Sequence, residues 1–146
     1  MKVLVTGTAG FIGSHVAQVL LARGDEVVGF DNLNDYYDVT LKQARLARFI
    51  DHPNYIHVQA DLADRAAVEQ VFAHHRPERV INLAAQAGVR YAAENPHVYV
   101  ASNVTGFLHI LEGCRHHGVQ HLVYASTSSV YGANTNMPFS VHQNVD

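Results

Sequence analysis

The chain is 146 residues long, 48% hydrophobic and 16% charged, which suits one ordinary globular domain with its own core. A formal net charge of −3 gives no electrostatic pull toward nucleic acid or an anionic membrane surface. No run approaches the ~18 apolar residues of a membrane span, and the opening Met1-Lys2-Val3-Leu4-Val5 is too short an apolar run for a signal peptide. A single cysteine, Cys114, excludes an internal disulfide and fits a reducing cytoplasm.

Val3 to Thr6 reads as a short buried strand, followed by glycines at 7, 10 and 13. Phe11, Ile12, Val16, Val19 and Leu20 then recur near the helical period and predict a helix with these residues as its apolar stripe. Strand, glycine turn and helix together aim a helix N-terminus at a phosphate. Gly7 allows the tight turn, Gly10 the approach of a pyrophosphate, and Gly13 close packing of helix on strand. The spacing is G-x-x-G-x-x-G rather than G-x-G-x-x-G, so the triplet alone fits an ordinary turn and a small-residue helix face as well. A second strand, Glu26 to Phe30, shifts the balance because Asp31 ends it, 18 positions after Gly13. A carboxylate there accepts from adenosine ribose hydroxyls and repels a 2′-phosphate. No Lys or Arg lies between Arg23 and Lys42, so NAD is favoured over NADP.

Asn32 to Asp38 is a polar loop with two adjacent tyrosines, read either as surface or as ligand edge. Leu41 to Ile50 predicts a helix, and Pro53-Asn54 breaks it. Tyr55 to Gln59 alternates as a third strand. Asp61-Leu62 follows it; Asp61 is read either as an acceptor for an adenine amino group or as an N-cap, a role for which Asp64 competes. Arg65 to His75 predicts a helix, with Val68, Val71 and Phe72 inward and Pro77 as its stop. Arg79 to Leu83 is a fourth strand, and Ala84-Ala85-Gln86-Ala87-Gly88 after it is small enough for a backbone to lie flat against a ligand.

Pro96 opens a predicted long helix to about His117, with Gly118 as its stop and Val100, Val104, Phe107, Leu108 and Leu111 as its apolar stripe. Asn103 in that stripe is read as a satisfied core amide or as a bond toward the cofactor side. His121 to Ala125 is a fifth strand, from which Ser126-Thr127-Ser128-Ser129 spills. Strand and helix thus alternate five times, which predicts an α/β, doubly wound parallel sheet in the order 3-2-1-4-5. The last strand has no helix after it. One face would lack cover, and residues 1–146 are therefore expected to be an incomplete dinucleotide-binding domain at the N-terminal end of a longer protein.

Eleven histidines raise the question of metal. His74-His75 and His116-His117 fall at predicted helix ends, where positive charge is favourable. Neither pair has Cys or carboxylate at ligand spacing, and no metal site is expected. The hydroxyls at 126–129 lack a G-x-S-x-G elbow and do not suggest a Ser-His-Asp nucleophile. A hydroxyl beside a nicotinamide can instead share a hydrogen bond with a carbinol being oxidised.

Several motifs occur in order along the whole chain: 5–15, Asp31-Asn32, Asp61-Leu62, Leu83 to Tyr91, Asn103-Val104-Thr105-Gly106 and Ser126 to Gly132. In them the chain resembles the extended short-chain dehydrogenases, the NAD-dependent nucleotide-sugar epimerases and dehydratases. The stretches Phe30 to Leu46 and Ala84 to Tyr91 most resemble UDP-glucuronate 4-epimerases. The resemblance implies that Gly7, Gly10, Phe11, Ile12 and Gly13 hold the pyrophosphate, and Asp31 and Asn32 the adenosine ribose. Asp61 and Leu62 would frame the adenine, while Leu83, Ala84, Ala85, Gln86, Asn103 and Ser126 line the rest of NAD. Thr127 matches the catalytic Ser/Thr, with Ser128 and Ser129 near the sugar. Gly88 and Arg90 lie where a UDP-sugar would approach.

Related dehydratases carry Thr-Asp-Glu where this chain has Thr127-Ser128-Ser129, and related UDP-glucuronate decarboxylases keep Glu at the third position. Serine there favours simple oxidation at C4, rotation of the 4-keto sugar and re-reduction on the other face, with NAD unchanged overall. The family's base is Tyr in Tyr-x-x-x-Lys, yet no tyrosine of this chain has Lys four positions on. The chain by itself is therefore expected to be inactive, and to pair as a homodimer only at full length, through the helix near 97–117. UDP-glucose/galactose epimerisation, another nucleotide-sugar reaction and a non-catalytic NAD-binding remnant are the alternatives.

Overall fold

The computed structural model describes every residue except Asn136, Asn144 and Asp146. Five strands are all parallel: β1 (Lys2–Thr6), β2 (Glu26–Asp31), β3 (Tyr55–Gln59), β4 (Arg79–Asn82) and β5 (His121–Tyr124). Their order is β3-β2-β1-β4-β5, as the alternation of elements predicts. The central strand β1 is buried on both faces, which explains its unbroken Val3-Leu4-Val5 run. Side chains alternate across the sheet. Val3 and Val5 pack with Ala17, Leu20 and Leu21 of α1 (Phe11–Ala22) and Leu46 of α2 (Val39–Leu46). Leu4 packs on the other face with Val68, Val71 and Phe72 of α3 (Arg65–His75) and with Ile110.

The helices are where the expectations need correction. In α1 the buried face is Gly13, Ser14, Ala17, Leu20 and Leu21, whereas Phe11, Ile12 and Val19 are exposed. The small residues face inward because they let the helix approach the strand closely. Helix α2 begins two residues earlier than predicted, since the Asp38 carboxylate accepts from the Thr40 amide at 2.8 Å and fixes the start. It ends at Leu46, and Phe49 is held by turns beyond it. Its inward residues are Lys42 and Leu46, and Leu41 faces solvent.

The predicted single helix after Pro96 is three pieces. After α4 (Val89–Glu94) come α5 (Pro96–Tyr99), a π-helical segment over Val100–Gly106, and α6 (Phe107–His117). Gly118 closes α6 in the left-handed conformation with φ of 66°. The predicted stripe Val100, Val104, Leu108 and Leu111 is exposed. The buried positions are Gly106, Ile110 and Gly113, because two glycines let the helix sit on Leu62 and on the ring of Phe72. A wide π turn around Asn103 keeps that side chain aimed at the end of β4.

Candidate cofactor groove

The strand ends of β1, β2 and β4 open onto one groove, lined by Gly7, Gly10, Asp31, Asn32, Asp61, Leu62 and the run Leu83 to Gln86. Gly7 makes the first turn with φ of 73°, and its amide donates to the Phe30 carbonyl at 2.7 Å. A Cβ on Gly13 would run into the carbonyl of Gly7, so only glycine lets α1 start this close to the turn. Gly10 is the N-cap of α1, and no side chain caps that end. Its first amides thus have no side-chain acceptor, the arrangement that suits an anion. Phe11 and Ile12 stand exposed at the same end.

Asp31 is buried beneath the glycine turn. Its Oδ2 accepts from the Ala9 amide at 3.0 Å and its Oδ1 from the Leu33 amide at 2.9 Å. Each carboxylate oxygen has a second lone pair, so Asp31 can brace the turn and still accept from a ribose. Asp64, not Asp61, caps α3, through its Oδ1 and the Ala67 amide at 3.1 Å. Asp61 instead accepts from Asn32 Nδ2 at 2.8 Å and from the Ala63 amide at 2.8 Å, which joins the two acidic edges of the groove.

Asn103 gives both halves of its amide to the Gln86 backbone rather than reaching into open space. Thr6 holds the start of the same run: its hydroxyl donates to Asn82 Oδ1 at 2.7 Å and accepts from the Leu83 and Ala84 amides, each at 3.0 Å. Thr6, Asn34, Tyr36, Tyr37, Lys42 and Ser102 have roles here that sequence reasoning did not assign. Only the tyrosine pair carried a signal, from its place at a strand's C-terminal edge. Lys42 is brought in from α2, where its Nζ donates to the Asn34 carbonyl at 2.7 Å and to Asn34 Oδ1 at 2.6 Å. Burial lowers its pKa, and the Asp31 carboxylate works in the opposite direction.

Beneath the groove, the Tyr55 hydroxyl donates to Thr8 Oγ1 at 3.3 Å and lies 3.2 Å from His57 Nδ1. Burial pushes the Tyr55 phenol up to about 12 and the His57 imidazole down.

The hydroxyl cluster stands at the same edge of the sheet but outside the groove lining. Ser126, Thr127, Ser128 and Ser129 are exposed and follow β5, whose ladder continues through the Ala125 amide to the Asn82 carbonyl. Thr127 Oγ1 accepts from the Ser129 amide and donates to its hydroxyl, both at 3.3 Å. Gly88 and Arg90 are exposed at the start of α4. Among the described residues no three His, Cys, Asp or Glu side chains gather as a metal site.

A profile of the family described as GDP-mannose 4,6 dehydratase matches residues 4–146. The chain is 53% identical to "Protein CapI" of Staphylococcus aureus over 146 residues, spanning all of this chain and 43% of that one. It is 50% identical to "UDP-glucuronate 4-epimerase 3" of Arabidopsis thaliana, spanning 99% of this chain and 34% of that one. The crystal structure of a UDP-glucuronic acid 4-epimerase mutant from Bacillus cereus, holding NAD and UDP-4-deoxy-4-fluoro-glucuronic acid, superposes with a TM-score of 0.88 at 31% identity. That match covers all of this chain and 46% of the other. The chain therefore spans less than half the length of each of these relatives.

Proposed function

This chain belongs to the GDP-mannose 4,6 dehydratase family, and on that premise we propose that it supplies the NAD-binding half of an epimerase acting at C4 of a UDP-sugar, UDP-glucuronate first. The observation that carries the reading is the groove itself. A glycine turn with an uncapped helix end, the Asp31 carboxylate and the Asn32–Asp61 pair line a single cleft. These residues fit a dinucleotide: the α1 amides face its pyrophosphate, Asp31 its adenosine ribose, and Asp61 with Leu62 its adenine. When bound, NAD supplies the reversible acceptance of hydride from C4.

The remaining work falls to side chains. Thr127 is our catalytic residue, a hydroxyl that hydrogen-bonds the sugar hydroxyl as charge develops on it. Ser128 and Ser129 bring no carboxylate to the ring, which supports epimerisation over elimination of water or loss of CO₂. Gly88 and Arg90 edge the approach to the sugar, with Arg90 as partner for the glucuronate carboxylate. Proton removal also needs a base, and no tyrosine here has Lys four positions on. We accordingly take residues 1–146 to bind NAD as an incomplete domain without turning over substrate alone. A second copy of the chain is the proposed partner at full length.

The test feeds UDP-glucuronate and UDP-glucose separately to the protein expressed from its complete reading frame, with bound NAD measured in parallel. Epimerisation of UDP-glucuronate at C4 is the expected result. Conversion of UDP-glucose alone would move the substrate, and absence of NAD would remove the reading. Turnover by the purified 146-residue chain would contradict its inactivity.

A further inference from the structure

We propose that Tyr36 is a positioning residue that straps the cofactor groove, by crossing from the loop after β2 to the loop after β4 and seating at Gly88. The proposal rests on the groove being the NAD site. Tyr36 and Tyr37 line one wall, and Ala84 to Ala87 the other. The Tyr36 ring stands 5.1 Å from the ring of Tyr91, which stands 6.3 Å from that of Tyr99. The Tyr99 hydroxyl rests on the Ala87 carbonyl at 2.7 Å and on the Gly88 carbonyl. Three tyrosines from separate parts of the chain thus join the two walls.

Gly88 is the seat. Its φ is 97°, and the Tyr36 hydroxyl fills the place that a Cβ would take. Glycine is needed there twice, for the backbone conformation and for the space. Tyr36 is 43% exposed and Gly88 is open to solvent, so the bridge is held by few buried contacts. Such a contact opens far more readily than the domain unfolds. A reaction that restores NAD in place has no need to exchange it at each turnover, and a strap that slows release costs such a reaction nothing.

The experiment follows NAD dissociation from the protein expressed from its complete reading frame, by displacement with excess unlabelled cofactor. An aromatic contact of this kind corresponds to roughly a tenfold factor at most. Y36A and G88A should each speed release by about that much, while Y36F, which keeps the ring, stays within about twofold. Because the alanine Cβ and the tyrosine hydroxyl compete for one space, most of the G88A effect should vanish in the Y36A background. Urea midpoints should hold for Y36A and Y36F, since few buried contacts hold the side chain. If Y36A nevertheless loses stability, it is set aside, and faster release from G88A than from Y36F decides. Unchanged release from Y36A and G88A, with NAD bound by the wild type, overturns the strap and leaves the groove reading intact. A wild type that binds no NAD overturns both.

Discussion

Asn103 returns its whole amide to one residue: its Oδ1 accepts from the Gln86 amide at 2.8 Å, and its Nδ2 donates to the Gln86 carbonyl at 3.0 Å. This pins the run after β4 at Gln86, as Thr6 pins it at Leu83 and Ala84. Asn103→Asp keeps the acceptor but loses the donor and sets a carboxylate against a carbonyl. It should cost about 1–3 kcal/mol in urea unfolding and weaken NAD binding measured by titration. Asn103→Ala should cost a similar amount. Unchanged NAD affinity in both would show that the run needs no such pin.

Gly113 lies against Phe72, which is fully buried. In an open helix Gly→Ala stabilises by about 1 kcal/mol. Here the new methyl meets a ring that has nowhere to move, so Gly113→Ala should instead destabilise by about 1–3 kcal/mol. Urea unfolding of the single variant reads the sign directly.

An Asp31 that faces the adenosine ribose, as proposed, would repel a 2′-phosphate, and Lys42 is already held beside the same groove. Asp31→Ser should lower NAD affinity by about tenfold and narrow the preference for NAD over NADP. Paired titrations with the two dinucleotides check it. A variant that loses both equally would assign Asp31 only to bracing the Ala9 amide.

Tyr55 is held protonated by burial, which pushes its pKa from the ordinary phenol value up to about 12. The unfolded chain releases that proton first as pH rises. The contribution to stability is thus fully present below the unfolded pKa and is lost as pH climbs through the folded one. Stability should fall across that alkaline window in the wild type and less steeply in Tyr55→Phe. Urea midpoints at rising pH, with tyrosinate absorbance alongside, read both effects.

Val104, in the π-helical segment, and Leu108, in α6, stand exposed four positions apart. If this stripe carries the proposed pairing of two copies, Val104→Glu with Leu108→Glu should convert the full-length protein to monomers in sedimentation. The substitutions leave Ile110 and Gly113, which face the core, untouched.

The sequence alone determined the strands, their order and the acidic ends of the groove. Val3 to Val5 is an unbroken apolar run and Tyr55 to Gln59 alternates, and Gly7 and Asp31 are tied to local geometry that any such turn requires. The tertiary structure decided which way the helices face. Periodicity put Phe11, Ile12 and Val19 inside α1, and Val100, Val104, Leu108 and Leu111 inside the later helix; all are exposed. The buried faces are led by Gly13 and Ala17 in the first case and Gly106 and Gly113 in the second. A hydrophobic count passes over glycine, because glycine contributes to packing by letting a neighbour come close rather than by apolar area of its own. Lys42 and the seat of Tyr36 were hidden for a related reason. Their partners, Asn34 across a turn and Gly88 across the groove, become neighbours only when α2 and the two loops have folded back over the sheet edge.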